Sequence, residues 1–268
     1  MVNGEFMKRM LLMGLPNEVP DTMRKIIEGG AVYDSSCSPE ARVYFIDKDG
    51  GYYLKKCRAK SLAREAQMSV YFASKGFGAR VLDYTTTAAE DWLLTERVAG
   101  EDCTHADYIS YPERLCDTIA ELLRTLHDSD TAGCPVPDRM SEYIALAEEN
   151  YRAGKYDISL FGDKIAFASA DEAYSVFQAG KNALERDTLL HGDYCLPNIM
   201  LDSWRHTGFI DVGNGGVGDR HVDIFWGAWT LWYNLKTDKY SHRFLDAYGR
   251  DKVDMEKLKI IAAAEVFG

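Results

Sequence analysis

The sequence predicts an α+β fold, strand-rich over residues 1–97 and mainly helical over residues 98–268. Three observations carry that prediction. Short runs of β-branched and aromatic residues, punctuated by turn formers, recur up to Val98. Apolar stripes at helical spacing dominate after Gly100. A second hairpin pattern, near residue 200, is set into the helical part.

Residues 41 to 57, ARVYFIDKDGGYYLKKC, read as a β-hairpin. Val43 to Ile46 form one strand, Asp49-Gly50-Gly51 the turn, and Tyr52-Tyr53-Leu54 the return. Ser35 to Pro39 form a polar loop before it. Residues 61 to 75 carry Leu62, Ala66, Val70 and Ala73 at helical spacing, and Gly76 and Gly78 end that helix. Val81 to Tyr84 and Trp92 to Thr95 read as two further strands. Beyond Gly100, Pro112 suits a first helical turn. Leu115, Ile119, Leu122, Leu123 and Leu126 then form a stripe. Residues 138 to 188 read as more helix around polar loops, and helices follow the second hairpin to residue 268. No internal repeat or low-complexity segment is present.

Composition narrows the function. The 268 residues carry a formal net charge of −11, with 46% hydrophobic and 27% charged residues. No basic patch stands out to meet a phosphate backbone, which argues against a nucleic-acid partner. An acidic surface suits a cationic small molecule, and solubility explains it equally. No apolar run approaches the roughly 20 residues that span a bilayer. Met10 to Met13, after Lys8 and Arg9, is too short for a signal peptide core, so a cytoplasmic protein is expected. The six cysteines show no metal-site spacing and read as reduced thiols, Cys195 as a small polarizable filler.

The chemistry concentrates in HGDYCLPNIML, residues 191 to 201, and in the hairpin that follows. Ile199 to Leu201 and Gly208 to Val212 are strand-like, with Ser203 to His206 as a polar tip. A tip centred between Trp204 and Arg205 sets Asn198 opposite Asp211. An amide oxygen and a carboxylate are hard ligands of the kind Mg²⁺ prefers. Asp193, five residues before Asn198, is placed to orient and deprotonate a hydroxyl. H-x-D, a four-residue spacer, Asn and a following D-x-G are the protein-kinase arrangement of catalytic base, metal asparagine and metal aspartate.

On these residues the sequence resembles the aminoglycoside phosphotransferase family, kinases with a protein-kinase-like fold, and within it the aminoglycoside 3′-phosphotransferases. The matching text is HGDYCLPNIML, GFIDVGNGGVGDRHVDI, SPEARVYF, GYYLKK and LLRTLHDSDTAGCP, from about residue 30 onward. The resemblance implies a bilobal kinase-like fold. Its nucleotide-binding lobe would cover residues 1–97, and a helical catalytic and substrate-binding lobe residues 98–268. It implies ATP and Mg²⁺, with Asp193 as catalytic base and Asn198 and Asp211 as metal ligands. Lys55 matches the lysine on the α and β phosphates, and Glu65 its carboxylate partner. Tyr53 matches the aromatic stacked on adenine, Glu96 and Val98 the hinge, and Ile210 the floor under the base. Core packing accounts for Tyr53 and Ile210 equally well. Ser38 falls on the loop over the phosphates, which lacks a glycine-rich signature, as in the antibiotic kinases. His191 is expected to steady the catalytic loop, and Asp219, Arg220 and Asp223 the segment after the metal site.

The acceptor is read from weaker signals. Glu265 and Phe267 lie in AEVFG, which resembles the family's acidic, aromatic tail, although Ala264 stands where a second acid is expected. Asp157 and Asp163 are further candidates. Related enzymes carry acids near positions 233 and 234, where this chain has Tyr233 and Asn234. Trp226, Trp229 and Trp232 recur every three residues: core packing is the favoured reading, an aromatic wall for a cationic head group the sharper one. A cationic aminoglycoside is the expected acceptor. Another amine-alcohol or sugar (choline- or homoserine-kinase-like), or a nucleotide-binding module without transfer activity, are the alternatives. The sequence is silent on oligomeric state.

Overall fold

A computed structural model describes residues 9–37, 39, 41–158 and 167–268. The elements run β1 (Met10–Leu11), α1 (Asp21–Ile27), β2 (Ala31–Asp34), β3 (Arg42–Asp47), β4 (Tyr52–Arg58), α2 (Ala63–Ser74), β5 (Val81–Thr86), β6 (Glu90–Glu96), β7 (Glu101–Asp102), α3 (Ala106–Ile109), α4 (Pro112–His127), α5 (Arg139–Arg152), α6 (Ala170–Gly180), β8 (Thr188–Leu190), β9 (Ile199–Asp202), β10 (Arg205–Phe209), β11 (Gly216–Gly218), α7 (His221–Leu235), α8 (Lys239–Gly249) and α9 (Met255–Glu265). They divide into two compact units. One holds residues through His105 together with Met200–Gly213; the other holds Ala106–Ile199 with Asn214–Gly268.

In the first unit, antiparallel pairing gives a sheet of order β1-β2-β3-β4-β6-β5. Side chains alternate between its faces. Leu54 points into a core with Met23 and Ile27 of α1, Val32, Ile46, Trp92 and Leu94. The next residue, Lys55, therefore takes the opposite face. Its cross-strand neighbour Leu93 packs there with Leu62 and with Ala66 of α2. The alternation thus aims Lys55 at α2. That helix stops as expected, with Gly76 left-handed at φ 77°.

The second hairpin differs from expectation. Strand β9 ends at Asp202 and β10 begins at Arg205, and both tip residues are left-handed, Ser203 at φ 52° and Trp204 at φ 68°. This is a tight two-residue turn of the kind whose twist suits antiparallel strands. The tip is centred one residue earlier than the sequence suggested. Direct cross-strand pairing of Asn198 with Asp211 does not follow from it.

In the second unit, α4 carries Pro112 in its first turn and buries Leu115, Ile119, Leu123 and Leu126. Asp138, Ser169 and Asp254 cap α5, α6 and α9 by accepting from backbone N–H groups, which satisfies donors that a helix start leaves open. The core gathers Met140, Phe177, Leu190, Val222, Phe225, Ile261 and Phe267. Strands β8 and β11 form a two-stranded ladder on either side of the catalytic motif in sequence, Leu190 opposite Gly216. Both are three residues long, too short for a period to show. Among the described residues, no helix is long and apolar enough to cross a membrane.

Candidate active site

The residues expected on the nucleotide side lie in the first unit. Lys55 Nζ donates to both Glu65 oxygens, at 2.9 and 2.8 Å, and to Asp211 Oδ1 at 2.9 Å. The predicted lysine–glutamate pair is therefore formed, and one predicted metal ligand shares the same ammonium. Burial would lower the Lys55 pKa, but the Glu65 and Asp211 charges outweigh it and raise it. Burial also raises the Glu65 carboxyl, with Lys55 opposing. Asp211 has a left-handed backbone at φ 59° and a side chain 53% exposed. Gly213 follows; a Cβ there would lie 3.2 Å from Glu65 Cβ, which makes glycine the fitting residue for close approach to α2.

Tyr53 stands opposite Phe45 on the neighbouring strand, ring centroids 5.3 Å apart. Its hydroxyl accepts from Arg9 at 2.9 Å. Glu96 pairs with Arg80 through its side chain, while Val98 is buried. A recess of about 510 Å³ lies against this stretch, lined among others by Gly78, Arg80, Glu96, Val98 and Thr207. Ile210 stays 36% exposed. Ser38 lies outside the described residues.

The loop expected to carry the catalytic aspartate lies in the second unit. Asn198 closes a single 3₁₀ turn begun at Leu196-Pro197. Its Nδ2 donates to Asp193 Oδ2 at 2.9 Å and to the Asp193 carbonyl at 3.0 Å. This fixes the amide so that its carbonyl oxygen is left for another partner. Asp193 N donates to His191 Nδ1 at 3.2 Å, the steadying role expected of that histidine. Gly192 sits at φ 84°, and a Cβ there would lie 2.0 Å from the Asn214 carbonyl; only glycine meets both conditions.

Beneath the loop is a buried chain that sequence reasoning missed. Asp223, fully buried at the start of α7, accepts from His191 N at 2.7 Å, Gly192 N at 2.8 Å and His127 Nε2 at 3.1 Å. The other ring nitrogen of His127 bonds Tyr248 Oη at 2.8 Å. Burial lowers the His127 pKa despite the Asp223 carboxylate, so the ring is neutral. The neutral ring donates from Nε2 to Asp223 and accepts from Tyr248 at Nδ1. Asp223 thus fixes the catalytic loop itself rather than only the segment after Asp211. The sequence held one signal: a histidine at the end of an apolar helical stripe must find a partner once buried.

The acceptor-side predictions divide. Glu265 is buried and accepts from Tyr143 Oη at 2.8 Å and Trp226 Nε1 at 3.2 Å. Burial pushes its carboxyl up to about 7 against those donors, and the Asp193 charge adds to the rise. Phe267 corrects the prediction of a substrate contact. It is fully buried, edge-on to Tyr151, Tyr156 and Tyr174, because an apolar ring among three aromatics gains more from packing than from exposure. Asp157 is exposed beyond α5, and Asp163 lies outside the described residues. Cys195 is a free thiol, and burial and the Asp193 charge push it far above the range of a nucleophile.

No group of three or more His, Cys, Asp or Glu side chains that could hold a metal occurs among the described residues. Mg²⁺ needs only one or two protein oxygens, with water and phosphate completing its shell. Asp211 and Asn198 each offer one such oxygen.

A partly buried lysine–glutamate pair and a loop presenting an anchored aspartate and asparagine define a kinase-like phosphotransferase that acts on a hydroxyl group. The phosphotransferase enzyme family model matches residues 38–261. The chain is 45% identical over 249 residues to a probable aminoglycoside 3′-phosphotransferase of Lactococcus lactis, covering 93% of this chain and 95% of that protein. It is 32% identical over 200 residues to the aminoglycoside 3′-phosphotransferase of Streptomyces fradiae, covering 70% and 72%. The chain belongs to the phosphotransferase enzyme family, among the aminoglycoside phosphotransferases. Its fold is that of an aminoglycoside-3′-phosphotransferase of type VIII, at a TM-score of 0.72 and 24% identity over 92% of this chain and 98% of that one. An aminoglycoside phosphotransferase of Streptomyces rimosus, solved with ADP and streptomycin, also matches at 0.72, with 21% identity over 92% and 97%.

Proposed function

We propose that the protein is a cytoplasmic, Mg²⁺-assisted kinase that transfers the γ-phosphoryl group of ATP to the 3′ hydroxyl of an aminoglycoside. The carrying observation is the anchored catalytic carboxylate. Asp193 is tied by Asn198 at 2.9 Å, on a loop whose backbone is held by a buried aspartate. Phosphoryl transfer asks little covalent work of a protein and much positioning, which is what a doubly tied carboxylate supplies. The likeness to 3′-phosphotransferases supports the acceptor and its position.

In this reading the first unit is the nucleotide-binding lobe and the second the catalytic and substrate-binding lobe. Lys55 neutralises phosphate oxygens while Glu65 fixes its ammonium. Tyr53 and Ile210 flank the base, the backbone at Glu96 and Val98 meets its edge, and Ser38 covers the phosphates. Asp211 and Asn198 each give Mg²⁺ an oxygen, and the ion when bound offsets phosphate charge. Asp193 orients the acceptor hydroxyl and takes its proton as the O–P bond forms and ADP departs. Glu265 faces an ammonium of the acceptor, and Asp157, exposed beyond α5, and Asp163 add weaker acidic contacts.

Tyr233 and Asn234, where related enzymes carry acids, favour as second reading an amine-alcohol acceptor with fewer charges. ADP release with Mg-ATP across aminoglycosides, amino-alcohols and sugars separates the two. Turnover with kanamycin-type compounds is expected. Turnover only with unrelated alcohols selects the second reading, and nucleotide binding without any transfer defeats both. Asp193→Ala is expected to abolish turnover and leave ATP binding intact; unchanged turnover would remove Asp193 as base.

A further inference from the structure

Arg9, which in the sequence only flanks a short apolar run, is seated on the sheet face that carries Lys55. The ladder sets Leu11 opposite Tyr33, Tyr33 opposite Phe45 and Phe45 opposite Tyr53. Directly opposed residues share a face, and Lys55 lies two residues beyond Tyr53 on β4, so all of them look to one side. Arg9 precedes β1 and reaches that same side. Its guanidinium carbon lies 3.9 Å from the centroid of the Phe45 ring. Its Nη2 donates to Tyr53 Oη at 2.9 Å. An arginine at the edge of the sheet thus reaches past β2 to rings on β3 and β4.

The two contacts do different work. Phe45 is 5% exposed between Tyr33 and Tyr53, at centroid distances of 6.1 and 5.3 Å. The β3–β4 turn closes on it as well, since a Cβ at Gly51 would lie 2.9 Å from Phe45 Cε2. Phe45 is therefore a fixed platform, and a flat, delocalised cation suits its face. Tyr53 is held less firmly. Its ring is tilted 50° from Phe45 and is only partly buried. A partly exposed ring keeps rotamer freedom unless something holds its tip. The hydrogen bond from Arg9 is made at that tip, the hydroxyl, and so fixes the direction in which the ring points.

We infer that Arg9 is a positioning residue for the nucleotide: from the Phe45 platform it holds the Tyr53 hydroxyl, and so sets the Tyr53 ring for adenine before the nucleotide arrives. The inference rests on the reading of Tyr53 as the base-stacking ring given above. A side chain that must be ordered at the moment of binding takes affinity from the complex, and one ordered beforehand does not. Arg9 acts through Tyr53 and not on the reacting atoms, so it changes nucleotide affinity and leaves the transfer step alone. The geometry favours this over obstruction of the base. The guanidinium lies on Phe45 and meets Tyr53 at its tip, which keeps it off the Tyr53 ring face.

Isothermal titration with Mg-ADP, alongside ATP KM, kcat and thermal midpoint, provides the test. Arg9→Ala is expected to weaken ADP about three-fold, the scale of ordering one side chain, and to raise ATP KM equally with kcat at saturating ATP near the parent value. Tyr53→Phe keeps the ring, removes the hydroxyl and is expected to weaken ADP by a similar factor. The double variant should be no weaker than either single one, because both lose the same bond. Arg9→Lys keeps a cation without the planar fork and should recover only part of the affinity. ADP affinity unmoved in both single variants, or factors that multiply in the double variant, overturns the inference. So does tighter ADP binding by Arg9→Ala, which would make the guanidinium an obstacle to the base, or a lowered thermal midpoint with ADP affinity unchanged. A parent protein that binds no adenine nucleotide overturns the reading of this face as the nucleotide side instead, and the inference falls with it.

Discussion

Replacing Asp223 by alanine should cost more in turnover than any other change remote from the substrates. Its carboxylate accepts three hydrogen bonds in a fully buried setting, from His191 N at 2.7 Å, Gly192 N at 2.8 Å and His127 Nε2 at 3.1 Å. Alanine leaves all three donors without an acceptor. Each buried donor left unsatisfied costs about 1–3 kcal/mol, and part of the sum is offset because a charge no longer has to be buried. A net loss of about 4 kcal/mol follows, or roughly 10 °C in thermal midpoint at the two to four degrees per kcal/mol of larger domains. The kinetic effect is separate. His191 and Gly192 immediately precede Asp193, so a loop shift of about 1 Å is enough to lower kcat about a hundred-fold. ATP KM should stay near the parent value. Thermal unfolding and steady-state kinetics on one preparation read both effects. Tyr248→Phe is the milder control. It removes the hydroxyl that bonds His127 Nδ1 and Arg220 but keeps the Asp223 carboxylate, and should cost about 1 kcal/mol with a small loss of kcat. An Asp223→Ala enzyme that turns over within two-fold of the parent would refute the claim that this carboxylate positions the catalytic loop.

Gly192→Ala should remove activity with little change in ATP binding, because φ 84° and a Cβ 2.0 Å from the Asn214 carbonyl force the loop to move; retained kcat in a steady-state assay would contradict this. Glu265 gives a pH signature. Its folded pKa of about 7 lies above the ordinary 4.5, so burial favours the protonated form. That advantage is complete below pH 4.5 and is lost as pH rises through about 7, amounting to about 3 kcal/mol by the usual conversion. A charged Glu265 attracts a cationic acceptor, so acceptor KM should fall as pH rises through about 7. Glu265→Gln should flatten that profile, and an unchanged profile in the variant would assign the titration elsewhere.

The parts of the fold legible in the sequence were those with a period or a punctuating residue. The β3–β4 hairpin showed alternation and Asp49-Gly50-Gly51, helix α2 its apolar spacing and Gly76, helix α4 its Pro112 and leucine stripe. Strands β8 and β11 are three residues each and carry no period, so nothing local announced them. The hairpin register slipped because Ser203-Trp204 is not a usual left-handed turn pair, and a tryptophan at φ 68° is dictated by pairing of the flanking strands rather than by its own preference. The Lys55–Glu65 ion pair and the Asp193–Asn198 hydrogen bond were legible as motif positions whose order along the chain kinase chemistry would fix. The Tyr248–His127–Asp223 chain was not, since its members are 121 and 96 residues apart and only packing brings them together.

Asp211 is where structural and functional demands can be separated most cleanly. Its left-handed backbone at φ 59° is one that aspartate and asparagine tolerate far better than other side chains. Asp211→Asn therefore keeps the backbone and changes only the charge. The ion pair with Lys55 is lost, but the Asp211 side chain is 53% exposed and Lys55 keeps both Glu65 oxygens. An ion pair with one partner so exposed contributes less than about 1 kcal/mol, so the thermal midpoint should barely move. Turnover should nevertheless fall by about a thousand-fold, the scale of removing one preorganised electrostatic group from a transition state. A residue kept for packing gives the opposite pattern, stability lost first and activity following it. If Asp211→Asn lowered the thermal midpoint by several degrees with kcat preserved, Asp211 would be an anchor for Lys55, and its assignment as a metal ligand would fail.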